Sequence, residues 1–437
     1  MIGSSTRSRA LASGGWAWLE TPSWLILALS LSVQVVLGVL FAHPYDTRIY
    51  MATGYLVATG HGAYSPLDLT AVFHHIGFSR LTTIGYPPPW ALVTGLLYRS
   101  TYAVVPNLFL YNLALKVPVI VATVGLAYLV AATLRNAGVQ ASVCRRAWAF
   151  LLLNPLILFA SAAWGQIDII VTLLAVAALV LLWSGRWASS AALLSLAVCT
   201  KPTPLPIVLV VLAWLVLRSP GQALRYGAVL AAWALVFVVV PVLALQWPTA
   251  AIWHRPNSQF LMIGGMSPTT VARLVRNPLV LPGHWWLLGL LWVIALVVGL
   301  LCLRRDGDFG ALLGNSAALV LVFLLTRTWL AEPNAVLVLP LVLMLAALGR
   351  LDWRLVTALW TLPLLFAVIH TVPLQLLWLA FPDAMLSSLA AIGDADALGL
   401  VPRACVVVAW QVAGWWTVVA CLRRAPGRDT ALERIAA

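Results

Sequence analysis

The chain has 437 residues, of which 62% are hydrophobic and only 9% charged, with a mean hydropathy of +0.98. That balance excludes a water-soluble globular domain and predicts an integral, multi-pass membrane protein. A net charge of +13 does not indicate a nucleic-acid partner, because the arginines are scattered between apolar runs instead of gathered with aromatics in one patch.

Residues 1–22 hold two arginines and no compact apolar core ahead of a small-residue cleavage site, so they read as a retained cytoplasmic tail. One transmembrane domain is expected over 23–422, with a second cytoplasmic tail at 423–437. The architecture is all-α. About twelve spans are predicted, at 23–42, 107–134, 147–163, 167–184, 188–200, 203–217, 226–246, 285–303, 309–326, 335–349, 355–379 and 403–422, because some 17–25 helical residues cross the hydrocarbon layer. The segments 188–200 and 203–217 are short for separate crossings. If the prolines of TKPTPLP only kinked one helix, the two would merge and everything downstream would invert.

With the amino terminus inside, 16 of the 26 basic residues fall in short loops on the retained side, as the positive-inside rule requires. The longer segments 43–106, 247–284 and 380–402 then face outward, and short interfacial helices are expected in the first of them. Many of the 22 tryptophans fall near predicted span ends, where an indole suits the headgroup layer. The five cysteines have no CxxC spacing, so neither a zinc site nor a disulfide framework is expected. Two lysines against 24 arginines, with abundant Ala and Leu, fit a high-GC genome and a bacterial plasma membrane.

Only thirteen acidic residues are present, and an acid near a bilayer needs a reason. Asp46, in HPYDTRIY, is the first acid after the first span, followed by Arg48 and Tyr50. It either abstracts a proton from a hydroxyl at the bilayer edge, caps a helix beginning near Thr47, or pairs with Arg48. Tyr86 follows in GYPPPWALV. In NPLILFASAAWGQIDII, Gln166 and Asp168 occupy an outer turn, as cavity-facing groups or as a helix cap. Lys201, between apolar segments, either snorkels or binds a lipid phosphate. His254 and Arg255 lie in a donor-rich loop suited to phosphate or sugar recognition. Arg327, Glu332 and Asn334 sit between two later spans, as a structural pair or facing the same cavity as Asp46.

No Walker A, HExxH or GxSxG pattern occurs, which disfavours ATP, zinc and serine hydrolysis. Within the predicted spans Lys116 is the main charged exception, whereas a proton-coupled transporter normally uses more.

In their order along the chain, HPYDTRIYMATGYLVATGHGAYSP, GYPPPWALVTGLLY, the Asn-Pro and Gly-Gln-x-Asp segment and the lysine-proline turn resemble the GT-C superfamily of membrane glycosyltransferases. The likeness spans roughly residues 24–217 and points to the bacterial and archaeal mannosyltransferase-like branch. It implies a polyprenyl-phosphate sugar donor, a lipid-linked or glycan acceptor, and catalysis at the outer leaflet. Asp46 is then the general base of an inverting displacement, and Lys201, Arg255 and Arg327 are the cations for the leaving phosphate. Arg48, Tyr50, Tyr86, Gln166, Asp168, His254, Glu332 and Asn334 complete the substrate-binding set. Arg48 stands where some relatives carry the second acid of an Asp-x-Asp pair, so no metal is expected, and no cofactor. The competing readings are a transporter of a lipid-linked or anionic solute and a noncatalytic envelope subunit.

Overall fold

The computed structural model describes residues 21–65, 67–73, 84–248, 264–274, 285–371, 373–381 and 396–423. The first span, α1 (Thr21–Leu40), has 20 residues and no charge, a length of about 30 Å. A three-residue turn leads to α2 (Pro44–Ala58), and α3 (Pro88–Ser100) follows the first loop. Both begin with proline in the first turn, where the missing N–H has no intrahelical partner to lose.

Two glycines let α2 and α3 touch. A Cβ at Gly54 would lie 2.8 Å from the Thr94 carbonyl oxygen, and one at Gly95 would lie 2.3 Å from Val57 Cγ1. Beneath this pair an aromatic cluster forms a core of its own, with Tyr50 edge-on to Trp90 and Tyr98 edge-on to Tyr111.

The long α4 (Leu108–Asn136) is followed by α5 (Ala141–Leu153), which Asn154 separates from the short α6 (Pro155–Leu158). Asn154 Oδ1 accepts the N–H groups of Leu156 and Ile157, restarting the helix. The chain then widens into a π-helix over Phe159–Trp164 and stops at Gly165, whose φ of +93° is a left-handed position. After it come α7 (Asp168–Trp183), α8 (Trp187–Thr200), α9 (Leu205–Val216), α10 (Pro220–Ala234) and α11 (Val240–Ala244). α8 and α9 are separate helices with Lys201–Pro204 between them.

A two-residue parallel ladder joins β1 (Gly264–Gly265) to β2 (Trp329–Leu330). Gly265 has φ +60°, and a Cβ there would lie 2.2 Å from the Leu330 carbonyl oxygen. The remaining helices are α12 (Pro268–Leu274), α13 (Trp285–Leu301), α14 (Phe309–Thr326), α15 (Leu339–Ala347), α16 (Trp353–Thr371) and α17 (Asp396–Leu422). A 3₁₀ turn over Glu332–Leu337 precedes α15, and another over Pro373–Leu377 follows α16.

The protein is an all-α polytopic membrane protein. Seven of the described helices are long and apolar enough to cross a bilayer, against an expectation of about twelve spans, and five more apolar helices have 10–17 residues. Proline explains several of the short ones: Pro202, Pro204 and Pro206 surround the break between α8 and α9, and Pro333 and Pro340 shorten α15.

The main core is formed chiefly by α4, α5, α7, α14 and α15, and α14 is buried over almost its whole length. At one end of the bundle, polar contacts join the turns before α14 and after α15: Asp308 caps α14 through the Ala311 N–H and pairs with Arg350 at 2.7 Å. Arg304 pairs with Asp306 there at 2.6 Å. The turns at the other end, after α1, α6, α8, α14 and α16, carry the groups described next.

Candidate functional site

The site begins with the turn after α1. His43 is the N-cap of α2, and its Nδ1 accepts the Asp46 backbone N–H at 3.2 Å. Asp46 is therefore in the first helical turn and does not cap a helix starting at Thr47. The same His43 nitrogen lies 3.2 Å from Asp46 Oδ2, but a nitrogen that accepts an N–H carries no proton to share. Burial lowers the His43 pKa against the opposing pull of Asp46, which fits a neutral ring.

The His43 ring stacks on Trp164 with centroids 4.3 Å apart and planes 5° from parallel. Trp164 Nε1–H donates to Asp46 Oδ2 at 2.6 Å, and Gln166 Nε2–H donates to the same oxygen at 2.7 Å. Both donors come from the turn that the π-helix and Gly165 create. Such π-segments are frequent at functional sites. Asp46 Oδ1 has no hydrogen bond among the described residues, and about a fifth of the side chain is exposed.

From Gln166 a polar chain runs across the site. Lys201 Nζ donates to Gln166 Oε1 at 3.3 Å and to Asp168 Oδ2 at 2.7 Å, and Asn334 Nδ2 donates to Asp168 Oδ1 at 3.1 Å. Four turns far apart in sequence thus meet through side chains. Lys201 is 8% and Asp168 1% exposed, so their ion pair is desolvated. Lys201 does not snorkel; the prolines around it hold it at the turn, where a carboxylate is within reach. Burial works to lower its pKa, but Asp168 and the nearby Tyr86 outweigh that and raise it to about 12.

Tyr86 lies beside this pair, with Lys201 Nζ 5.3 Å from its ring centre, and Tyr64 holds its loop by donating to the Tyr86 carbonyl at 2.8 Å. Tyr50 faces Tyr86, and the Tyr50 hydroxyl is buried beside it. Burial raises both phenols above their ordinary value, so they remain donors at neutral pH.

Arg327 ends α14 with its guanidinium 5.1 Å from the Phe323 ring centre. Burial lowers its pKa, partly offset by Tyr86 and Asp168, which places it beside the same cluster. Among the described residues it makes no ion pair. Glu332, 2% exposed, pairs with His370 of α16 at 2.9 Å. Arg48 turns to the Trp378 ring, 4.6 Å away, at the edge of the site. His254 and Arg255 lie outside the described residues.

The structure therefore joins Asp46, Gln166, Lys201, Asp168 and Asn334 in one hydrogen-bonded chain, with Tyr50, Tyr86 and Arg327 around it. Sequence reasoning missed His43, Trp164 and His370, and it noted Lys116 only as a charged exception within a span. Trp164 had a signal, since it stands two residues before Gln166 next to a glycine; His370, in a different helix from Glu332, had none.

No curated protein matches the chain. Among solved structures it is similar to the crystal structure of ArnT from Cupriavidus metallidurans bound to undecaprenyl phosphate, at 16% identity and a TM-score of 0.48, covering 92% of this chain and 77% of that one. Glycosyltransferase family 87 matches residues 84–333, a stretch that includes Gln166, Asp168, Lys201, Arg327 and Glu332. That is more than half of the 437 residues, and the chain belongs to glycosyltransferase family 87.

Proposed function

We propose that this membrane glycosyltransferase takes its sugar from a polyprenyl-phosphate donor, mannose being the first candidate. The acceptor is a lipid-linked or cell-envelope glycan, and transfer takes place at the outer face of the plasma membrane. The observation that carries the reading is the Asp46 carboxylate, held through Oδ2 by Trp164 and Gln166 while Oδ1 lacks a hydrogen bond among the described residues.

Asp46 is the general base. Oδ1 takes the proton of the acceptor hydroxyl as that oxygen attacks the anomeric carbon from the side opposite the phosphate. The bond from the anomeric carbon to the phosphate oxygen breaks, its electron pair leaves with the lipid phosphate, and the configuration inverts. Glycoside hydrolysis needs a second carboxyl to protonate an alkoxide leaving group. A phosphate leaves as a stable anion, so one carboxylate and a cation suffice.

Arg327 is the stronger candidate for that cation. The Lys201 charge is matched by Asp168, whereas Arg327 has no ion pair among the described residues and presents a forked set of donors to a phosphate. Glu332, Asn334 and Tyr86 read sugar hydroxyls, and His254 and Arg255 contribute from the outer loop.

The test is transfer from a panel of radiolabelled polyprenyl-phosphate sugars to membrane acceptors, comparing wild type with Asp46→Asn at equal folded amounts. The expected result is a loss of about 10²- to 10⁴-fold in the variant. Equal transfer by both proteins would remove Asp46 from the mechanism. Movement of the donor lipid across the bilayer without sugar transfer would favour a transporter.

A further inference from the structure

A lysine buried inside a membrane helix is expensive unless its amine is fully used. Lys116, in α4, is 1% exposed, and no carboxylate is paired with it among the described residues. Its Nζ donates instead to two backbone carbonyls, that of Phe41 just past the end of α1 and that of Ala163 at 2.9 Å near the end of the π-helix. Four residues earlier on the same face of α4, Asn112 Nδ2 donates to the carbonyls of Gly38 at 2.7 Å and Phe41 at 2.9 Å. Asn112 thus serves the Gly38 carbonyl in the last turn of α1, which has no intrahelical donor, and shares Phe41 with Lys116.

The two carbonyls held by Lys116 lie just ahead of the site's essential parts. Phe41 is two residues before His43 and five before Asp46; Ala163 immediately precedes Trp164 and is three residues before Gln166. The lysine stem also fits against Gly165, where an added Cβ would come within 3.1 Å of Lys116 Cε. A backbone bond from His43 N–H to the Trp164 carbonyl, at 3.3 Å, closes the same junction.

We infer that Lys116 is a positioning residue that fastens the turn bearing Asp46 to the turn bearing Trp164 and Gln166, setting the direction of Asp46 Oδ1. The inference rests on Asp46 as the base, but the fastening itself can be read without catalysis. Without Lys116 the polar and ring contacts left between the two turns, among the described residues, are the His43 backbone bond, the ring stack and the Asp46 hydrogen bonds themselves. The carboxylate then loses its alignment, and a misplacement of about 1 Å in a reacting group costs on the order of 100-fold in rate.

Full-length wild type, Lys116→Met and Lys116→Gln in lipid nanodiscs provide the test. Met keeps the shape of the side chain without donors, and Gln keeps a donor able to reach one carbonyl. Each is combined with Asp46→Asn and labelled with 5-fluorotryptophan, the Trp164 ¹⁹F resonance being assigned by its loss in Trp164→Phe. The expected results are a fall of roughly 100-fold in kcat for Lys116→Met, an intermediate value for Lys116→Gln, and donor KM within about twofold of wild type. The Trp164 resonance should move, and the fall in kcat should vanish in the Asp46→Asn background.

A Trp164 resonance that does not move overturns the proposal, whatever happens to the rate. Equal losses of kcat in both backgrounds also overturn it, because they mark a general folding role. If Lys116→Met does not fold, the same readings on Lys116→Gln decide. A moved Trp164 resonance alongside full transfer by Asp46→Asn would refute the base assignment and leave the fastening in place.

Discussion

Replacing Lys201 with Met isolates the energetics of the buried polar chain. The substitution preserves the volume of the stem but removes the only cation paired with Asp168 among the described residues, leaving a carboxylate that is 1% exposed. Breaking a buried ion pair from one side costs about 3–5 kcal/mol, because the remaining charge is desolvated without a counter-charge. The Asn334 hydrogen bond to Oδ1 persists and keeps the loss toward the lower end of that range. The double variant Asp168→Asn with Lys201→Met removes both charges and should recover most of the loss, since no ion is left stranded.

Equilibrium unfolding in SDS mixed micelles, followed by tryptophan fluorescence, measures all three proteins. The pH dependence carries a second signature. The folded-state pKa of Lys201, at about 12, lies above the ordinary 10.5, so the folded protein holds this proton more tightly. The associated stability is complete below pH 10.5 and is lost as pH rises through about 12. Wild type should show this alkaline loss and the double variant should lack it. If Lys201→Met unfolds within about 0.5 kcal/mol of wild type, or the double variant is no more stable than the single, the desolvated pair is not what holds these turns together.

Three further outcomes are expected. Trp164→Phe keeps an aromatic ring for His43 to stack on but removes the N–H donated to Asp46; a hydrogen bond to a charged group is worth about 1.5–3 kcal/mol, so unfolding should become easier by about that amount, and kcat should fall as the carboxylate loses a donor that orients it. Arg327→Met should raise the donor KM or lower kcat while Arg327→Lys retains part of the activity, and transfer rates unaltered in Arg327→Met would exclude this arginine from phosphate recognition. Gly95→Ala places a methyl 2.3 Å from Val57 Cγ1 and should destabilise the α2–α3 pair by about 1–3 kcal/mol; adding Val57→Ala should relieve it, and a failure of that rescue in the unfolding assay would show that the contact is not the cause.

Composition and hydropathy alone determined the class of this protein, because an uncharged run of about 20 residues has one stable place in a cell, the hydrocarbon core. The glycosyltransferase resemblance was also legible, and with it Asp46, Gln166, Asp168 and Lys201 as residues of interest, since polar groups stand out against an apolar chain. The prolines of TKPTPLP likewise announced the break that the structure has at Lys201–Pro204.

What each polar group does to the others was decided by tertiary structure. Lys201 left snorkelling and phosphate binding open in the sequence; its partner, Asp168, is 33 residues away, and only the packing of α7 against α8 joins them. Trp164 and Gln166 reach Asp46 across 118 and 120 residues, and Asn334 reaches Asp168 across 166. Local pattern carries no term for such separations. Lys116 looked like an anomaly in an apolar span because its partners are backbone carbonyls, which every residue has and no sequence marks. A membrane sequence displays which groups the bilayer must not solvate, whereas their pairing depends on which helix ends are brought together, a choice made by apolar packing far from the site.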